Sequence, residues 1–252
     1  GSFTSEQSLR ADGYQLFPKQ FSLYAYQYVL SGKQIFTSYG VTVTVTVVGT
    51  LLAVLVTSTF AYFLAHRRVR YGNVFAFLTY FTMLFGSGLV GFYILIANWL
   101  GLKDSILALI LPYMLNPFYA FIMVAFYRNI PYELNEAATV DGANDITIFF
   151  RIIWPVAVPS IATISLFYAL IYWNDWWLAL LFIDNHHLHP LQIMIRQLMS
   201  NLDPDSYIGN YGGAAQLIPG MGVQLATVCL TIGPIIFVYP FVQKYFVEGL
   251  TV

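Results

Sequence analysis

Residues able to do chemistry are scarce in this chain. Lys and Arg number 11 and Asp and Glu 12, together 9% of 252 residues, against about 25% in ordinary globular proteins. Tyr168, Tyr172 and Asp175 are spaced i, i+4 and i+7, so a helix brings them to one face, with Asn174 beside them. Aromatic faces stack on sugar rings, and an amide or carboxylate accepts hydrogen bonds from sugar hydroxyls. The two tyrosines could equally pack a bundle, and Trp176 and Trp177 suit an interfacial aromatic belt. His186-His187-x-His189 has metal-binding residue types but no acidic partner at helical spacing, so it reads as a solvated loop. Cys229 is the only cysteine, which excludes an internal disulfide and a thiol-rich metal site. No metal ligands and no catalytic residues are expected. There is no Gly-x-x-x-x-Gly-Lys-Ser/Thr phosphate loop, and no lysine is followed by Ser or Thr. His-Glu-x-x-His and Gly-x-Ser-x-Gly are also missing from the sequence.

The elements that must position these residues follow from where charge is missing. Windows 34–66, 71–102, 105–127, 152–174 and 206–243 contain no Asp, Glu, Lys or Arg, in a chain that is 58% apolar. Each can hold the roughly 20 apolar residues of a membrane span. A lone charge at mid-bilayer costs about 2.5–3.5 kcal/mol, so the gaps are meaningful. The chain is predicted to be an all-α polytopic membrane bundle with five spans, near 40–65, 73–98, 105–127, 156–180 and 222–244. Residues 37–252 then form the membrane domain and residues 1–36 an external segment. A β-barrel would alternate apolar and polar residues, whereas Phe75 to Phe85 is apolar on every face. A net charge of −1 leaves no basic face for nucleic acid.

Orientation follows from basic residues. His66-Arg67-Arg68-Val69-Arg70 packs three arginines between the first two windows, and the positive-inside rule makes that turn cytoplasmic. Alternation puts 128–151 inside, 175–205 outside and 244–252 inside. Trp99 then falls at the outer interface. The first 33 residues would lie outside although no span precedes them, and the chain starts Gly-Ser. An upstream sixth helix is therefore expected. Pro112 and Pro117 should kink the third of the five spans, which a bundle tolerates where neighbours satisfy the freed backbone groups.

The cytoplasmic stretch from about 128 to 155 differs in kind. Pro131 suits a first helical position, and Glu133, Glu136, Ala137 and Ala138 are good helix formers. Gly142 can stop that helix with positive φ, and Asn144 or Asp145 can cap a second helix broken at Pro155. On these grounds alone it could be an ordinary solvated hairpin. Its wording, however, resembles the membrane permease subunits of bacterial ATP-binding-cassette importers. Their signature is Glu-Ala-Ala, three residues, Gly, nine residues, Ile, one residue, Leu-Pro. Here Glu136-Ala137-Ala138, Gly142, Ile152 and Pro155 stand at those spacings, with Trp154 in place of leucine. Asp141-Gly142-Ala143 and Phe149 resemble the carbohydrate branch, similar to maltose permease subunits.

The resemblance implies an importer in the bacterial cytoplasmic (inner) membrane. Its implied partners are a second permease subunit, two ATP-binding subunits that hold ATP and Mg, and an external solute-binding protein. Asn135, Glu136, Ala137, Ala138, Asp141, Gly142 and Ala143 would then form the coupling helix that docks the ATPase, with Glu136 facing a basic residue there. Tyr211-Gly212-Gly213-Ala214-Ala215-Gln216 and Pro190-Leu191-Gln192 resemble the subgroup importing complex saccharides, of which acidic alginate is one example. Two other classes compete. An ion-coupled transporter usually carries ionisable residues inside its spans, and these windows hold no Asp, Glu, Lys or Arg, with His66 at an edge, which leaves that class only carbonyl ion sites. An intramembrane enzyme would need a nucleophile and base that the motifs do not supply.

Overall fold

A computed structural model describes residues 2–5, 7–9, 13, 20–86, 88–200 and 222–233, with only the backbone of 198–200. The described residues are helical apart from short connections and an isolated bridge between Thr4 and Phe21. Twelve helices carry the description: α1 (Tyr24–Ser31), α2 (Lys33–Ala65), α3 (Gly72–Leu84), α4 (Gly88–Tyr93), α5 (Ile106–Ile110) and α6 (Pro117–Asn129), then α7 (Glu133–Val140), α8 (Asp145–Ile148), α9 (Val158–Asn174), α10 (Trp177–Phe182), α11 (Leu191–Ser200) and α12 (Gly222–Gly233). They fall into two compact units, one drawn from Gly1–Val43 and Asn174–Tyr239, the other from Thr44–Trp173 and Pro240–Val252.

α2 shows why the solvent decides the local structure. Val41 to Val48 alternates valine and threonine, a strand-like pattern of β-branched residues in water. It is helical here, because in hydrocarbon only a helix satisfies every backbone group within one segment. Ser38, Thr42, Thr57, Ser58, Ala53 and Ala61 are buried, while Val43, Val47, Leu51 and Leu55 are exposed. Small and hydroxylated residues, which let helices approach closely, are thus buried along with Val45, Val54 and Leu64, and the exposed aliphatic ones form an apolar outer face. Thr59 Oγ1 donates to Leu55 O at 2.8 Å, keeping its hydroxyl paired within the helix.

Broken spans distinguish the structure from the sequence expectation. Among the described residues α2 alone is long and apolar enough to cross a membrane, and each bent pair counted as one span brings the total to as many as four. The second predicted span, 73–98, stops at Leu84 and resumes at Gly88, whose φ is +71°. A residue at that φ cannot continue a right-handed helix. Past α4 the chain widens into a π-helical turn, Ile94–Trp99. The third breaks between Ile106–Tyr113 and Pro117–Asn129, bending by 48°. Asn116 starts the second half, its Oδ1 accepting from Phe118 N at 2.9 Å, with Pro117 next at the first helical position. The fourth, 156–180, begins at an 84° bend between Asp145–Val156 and Val158–Asn174 and is interrupted after Asn174, before α10. α2 begins at Lys33, four residues before the expected start of the membrane domain. Of the expected last span only Gly222–Gly233 lies within the described residues.

The unit containing Asn174 to Ser200 is held by polar contacts to the start of α2. Thr42 Oγ1 accepts from Leu191 N at 2.9 Å, and Gln34 Nε2 donates to His186 O at 2.6 Å. His189 is buried with Nε2 3.3 Å from Ile183 O, and its ring meets that of His186 edge-on. Asn185 Oδ1 accepts from His187 N at 3.0 Å and starts the short 3-10 turn that carries them, His186–Leu188.

Candidate functional site

The hairpin from Pro131 to Val156 is built from its caps outward. α7 runs from Glu133 to Val140 and ends at Gly142, whose φ is +80°. Ala143 N donates to Ala138 O at 2.9 Å and Gly142 N to Thr139 O at 3.1 Å. This pair of bonds is the Schellman arrangement, which satisfies carbonyls that a helix end leaves open. Asn144 caps α8, its Oδ1 accepting from Thr147 N at 2.8 Å. Pro155 does not break the second helix, as the sequence led us to expect. A π-helical turn, Phe149–Ile153, precedes it, and the chain bends two residues later at Ala157. The wider turn accommodates a residue without an N–H donor. Likewise α7 starts at Glu133 and not at Pro131.

One face of the hairpin is anchored. Asn135 and Ala138 are buried, and Tyr62 OH donates to Asn135 Oδ1 at 3.1 Å. The Tyr62 ring lies 5.1 Å from Phe149 and 6.2 Å from Tyr127, whose hydroxyl is 2.6 Å from Ser58 Oγ. The opposite face is bare. Val140 is 86% exposed and Ile146 70%, with Leu134 and Phe150 also exposed. Glu133, Glu136, Asp141 and Asp145 are exposed around them, as is Ala137, while Ala143 is half-buried. An apolar knob ringed by carboxylates suits a groove on a partner that is apolar at its centre and basic at its rim.

The two tyrosines of α9 are packed into the fold. Tyr168 and Tyr172 are fully buried, so neither ring face is open to a solute. The Tyr168 hydroxyl accepts from Asn116 N at 2.9 Å and lies 2.6 Å from Thr57 Oγ1. The Tyr172 hydroxyl donates to Ile110 O at 2.9 Å. These are backbone groups released where α5 and α6 part, so the tyrosines supply the bonds that a broken span requires. Gly49 makes room for this, since a Cβ there would lie 2.8 Å from the Tyr172 ring. Asp175 lies one residue past the end of α9 at Asn174. Its Oδ2 accepts from Leu178 N at 3.3 Å in the first turn of α10. Asn174 is exposed and its Oδ1 is 3.5 Å from Gln192 Nε2. Sequence reasoning missed Tyr62, Gly49 and Asn116. Only Asn116-Pro117 carried a readable signal, a helix start.

Residues 53–252 match the family described as binding-protein-dependent transport system inner membrane component. The chain belongs to this family. It is thus a membrane permease component of a transport system and not an enzyme. It is 40% identical over 252 residues to protein LplC of Bacillus subtilis (strain 168), covering all of this chain and 85% of LplC. It is 38% identical over 251 residues to the polygalacturonan/rhamnogalacturonan transport system permease protein YtcP of the same organism, covering 98% of this chain and 86% of YtcP. A solved bacterial ABC transporter involved in import of the acidic polysaccharide alginate superposes with a TM-score of 0.88 at 31% identity. That match covers 97% of this chain and 87% of the other. The saccharide-type motif Tyr211 to Gln216 lies outside the described residues.

Proposed function

We propose that this chain is one of two permease subunits of an ATP-driven importer for uronate-rich oligosaccharides. It crosses the bacterial cytoplasmic membrane several times, with the Arg67–Arg70 turn and the 131–156 hairpin on the inside. A separate ATPase subunit, which binds ATP and Mg, docks on the hairpin. An external solute-binding protein delivers the sugar, and a second permease subunit completes the path. The observation that carries this reading is the hairpin itself, anchored through Asn135 and bare over Glu136, Val140 and Ile146. A chain without a nucleotide motif must receive work through such a contact, and a contact biases two states only if its energy differs between them.

The substrate class is supported by two comparisons that share a chemistry. Polygalacturonan and alginate are both polymers of uronic acids, and they are named for YtcP and for the solved importer. Asn174 and Asp175 at the predicted outer end of α9 remain the candidates for sugar contact in this chain. The test is reconstitution with the cognate ATPase and binding protein. We expect uptake of oligouronates over neutral oligosaccharides of equal length. Glu136→Ala should weaken ATPase association, because losing one member of a buried charge pair costs about 2–5 kcal/mol. Unchanged association in Glu136→Ala would reject its role in docking, and preference for the neutral sugars would reject the substrate class.

A further inference from the structure

A second site lies beside the hairpin. A cavity of about 460 Å³ opens between the end of α2, the start of α3 and the start of the hairpin. Arg67, Arg70, Arg128 and His66 line it together with Asn73 and Tyr132, and the described lining residues include no Asp or Glu. The Arg67 guanidinium sits 4.8 Å from the centre of the Tyr132 ring and that of Arg70 5.6 Å from the Tyr71 ring. Aromatic faces hold these cations in place without neutralising them. The N-terminus of α3 reaches the same space through Gly72 and Asn73 and has no side-chain cap. Gly72 N already donates to Val69 O at 3.3 Å, so it is the three guanidinium groups lining the space that suit an anion.

The surroundings say which anion. From its first turn α3 exposes Val74, Phe75, Phe77 and Leu78, so an apolar face begins where the basic cavity ends. A free phosphate has no use for that face, whereas acyl chains do. We propose that this cavity binds the phosphate headgroup of an anionic phospholipid, with Arg67, Arg70 and Arg128 as its partners and the acyl chains along α3. The proposal rests on the reading that the arginine turn is at the cytoplasmic membrane face. Asn135 lines the cavity from the anchored face of the hairpin, whereas Glu136, Val140 and Ile146 on its bare face do not. Arg68 belongs to the same turn but is outside the lining too, which provides an internal control.

The experiment uses the assembled importer in nanodiscs of phosphatidylcholine with and without phosphatidylglycerol, and counts retained lipid by native mass spectrometry. Arg67→Gln and Arg70→Gln should each lower retained phosphatidylglycerol about fivefold, the fold-change equal to about 1 kcal/mol per basic group at an anionic surface. Arg68→Gln, which removes the same charge from the same turn, should leave retention unchanged. Equal loss in all three variants would mean diffuse surface attraction and overturn the site. Displacement of the lipid by millimolar inorganic phosphate would assign the cavity to a free anion and overturn the lipid. Loss of the ATPase subunit from the Arg67 and Arg70 variants, with lipid retained, would make it a protein contact. Should the wild-type assembly hold no ATPase, the functional reading fails and not this site, provided the lipid is still retained.

Discussion

Gly142→Ala isolates the geometry of the hairpin from its chemistry. Gly142 has φ +80°, and a Cβ built there meets no atom within 4 Å. No clash contributes, so the whole penalty is backbone strain. Holding a residue with a Cβ in the left-handed region costs about 1–2 kcal/mol. The chain can relieve this by rotating φ, but then the Ala143 N to Ala138 O and Gly142 N to Thr139 O bonds open and α8 swings relative to α7. Where the free hairpin relaxes and docking must restore the bend, ATPase affinity falls by roughly 5–30-fold, since about 1.4 kcal/mol is tenfold. The membrane helices do not depend on this turn and should unfold at the wild-type temperature. Gly142→Asn is the companion variant, because asparagine also tolerates the left-handed conformation at a helix end. Binding of the purified ATPase to detergent-solubilised permease, followed by titration, reads both. Wild-type affinity in Gly142→Ala, or an equal loss in Gly142→Asn, would refute the strain argument.

Two further outcomes concern the broken span. Gly49→Ala forces a methyl to within 2.8 Å of the Tyr172 ring, and overpacking of this kind costs about 1–3 kcal/mol. Its unfolding temperature should fall, and adding Tyr172→Ala should cost less than the two changes taken separately, because the ring that clashes is gone. Tyr168→Phe strips the partner from Asn116 N, at about 1–3 kcal/mol for a buried unpaired donor. Stability should drop with no change in which sugars are carried; an altered sugar preference at wild-type stability would restore the tyrosine to the pathway.

The broad class of the fold was legible because charge is so costly in hydrocarbon that its gaps mark the spans. The hairpin was legible as well, since Gly142 and Asn144 are caps whose effect is local and independent of packing. The roles of Tyr168 and Tyr172 were not. Their spacing put them on one face, but it could not say that a partner span would open at Pro112 to Pro117 and present Ile110 O and Asn116 N to them. The extent of α9 misled in the same way: i, i+4, i+7 assumes a continuous helix, and Asp175 lies just past its end. Gly49 sits in a run of valines and threonines with nothing local to mark it; only the approach of the Tyr172 ring gives it meaning.

On the proposed reading docking alone does not move a membrane span, so the hairpin needs a connection inward, and the Tyr62–Asn135 bond is the candidate for it. Tyr62 lies near the end of α2 and donates to Asn135 Oδ1 at 3.1 Å, while Asn135 O accepts from Thr139 Oγ1 at 2.7 Å. Asn135 is buried and takes no part in the exposed face. Tyr62→Phe keeps the ring contacts with Phe149 and Tyr127 and deletes only the hydroxyl bond. A net hydrogen bond is worth about 0.5–1.5 kcal/mol, so the two states of the transporter lose roughly 2–10-fold of their mutual bias. ATPase affinity should stay at the wild-type value, because the docking surface is untouched. Sugar taken up per ATP hydrolysed should fall, and Asn135→Ala should reproduce the loss without adding to it when the two are combined. A coupling ratio unchanged in Tyr62→Phe, or a loss of affinity matching Gly142→Ala, would place the inward connection at another contact.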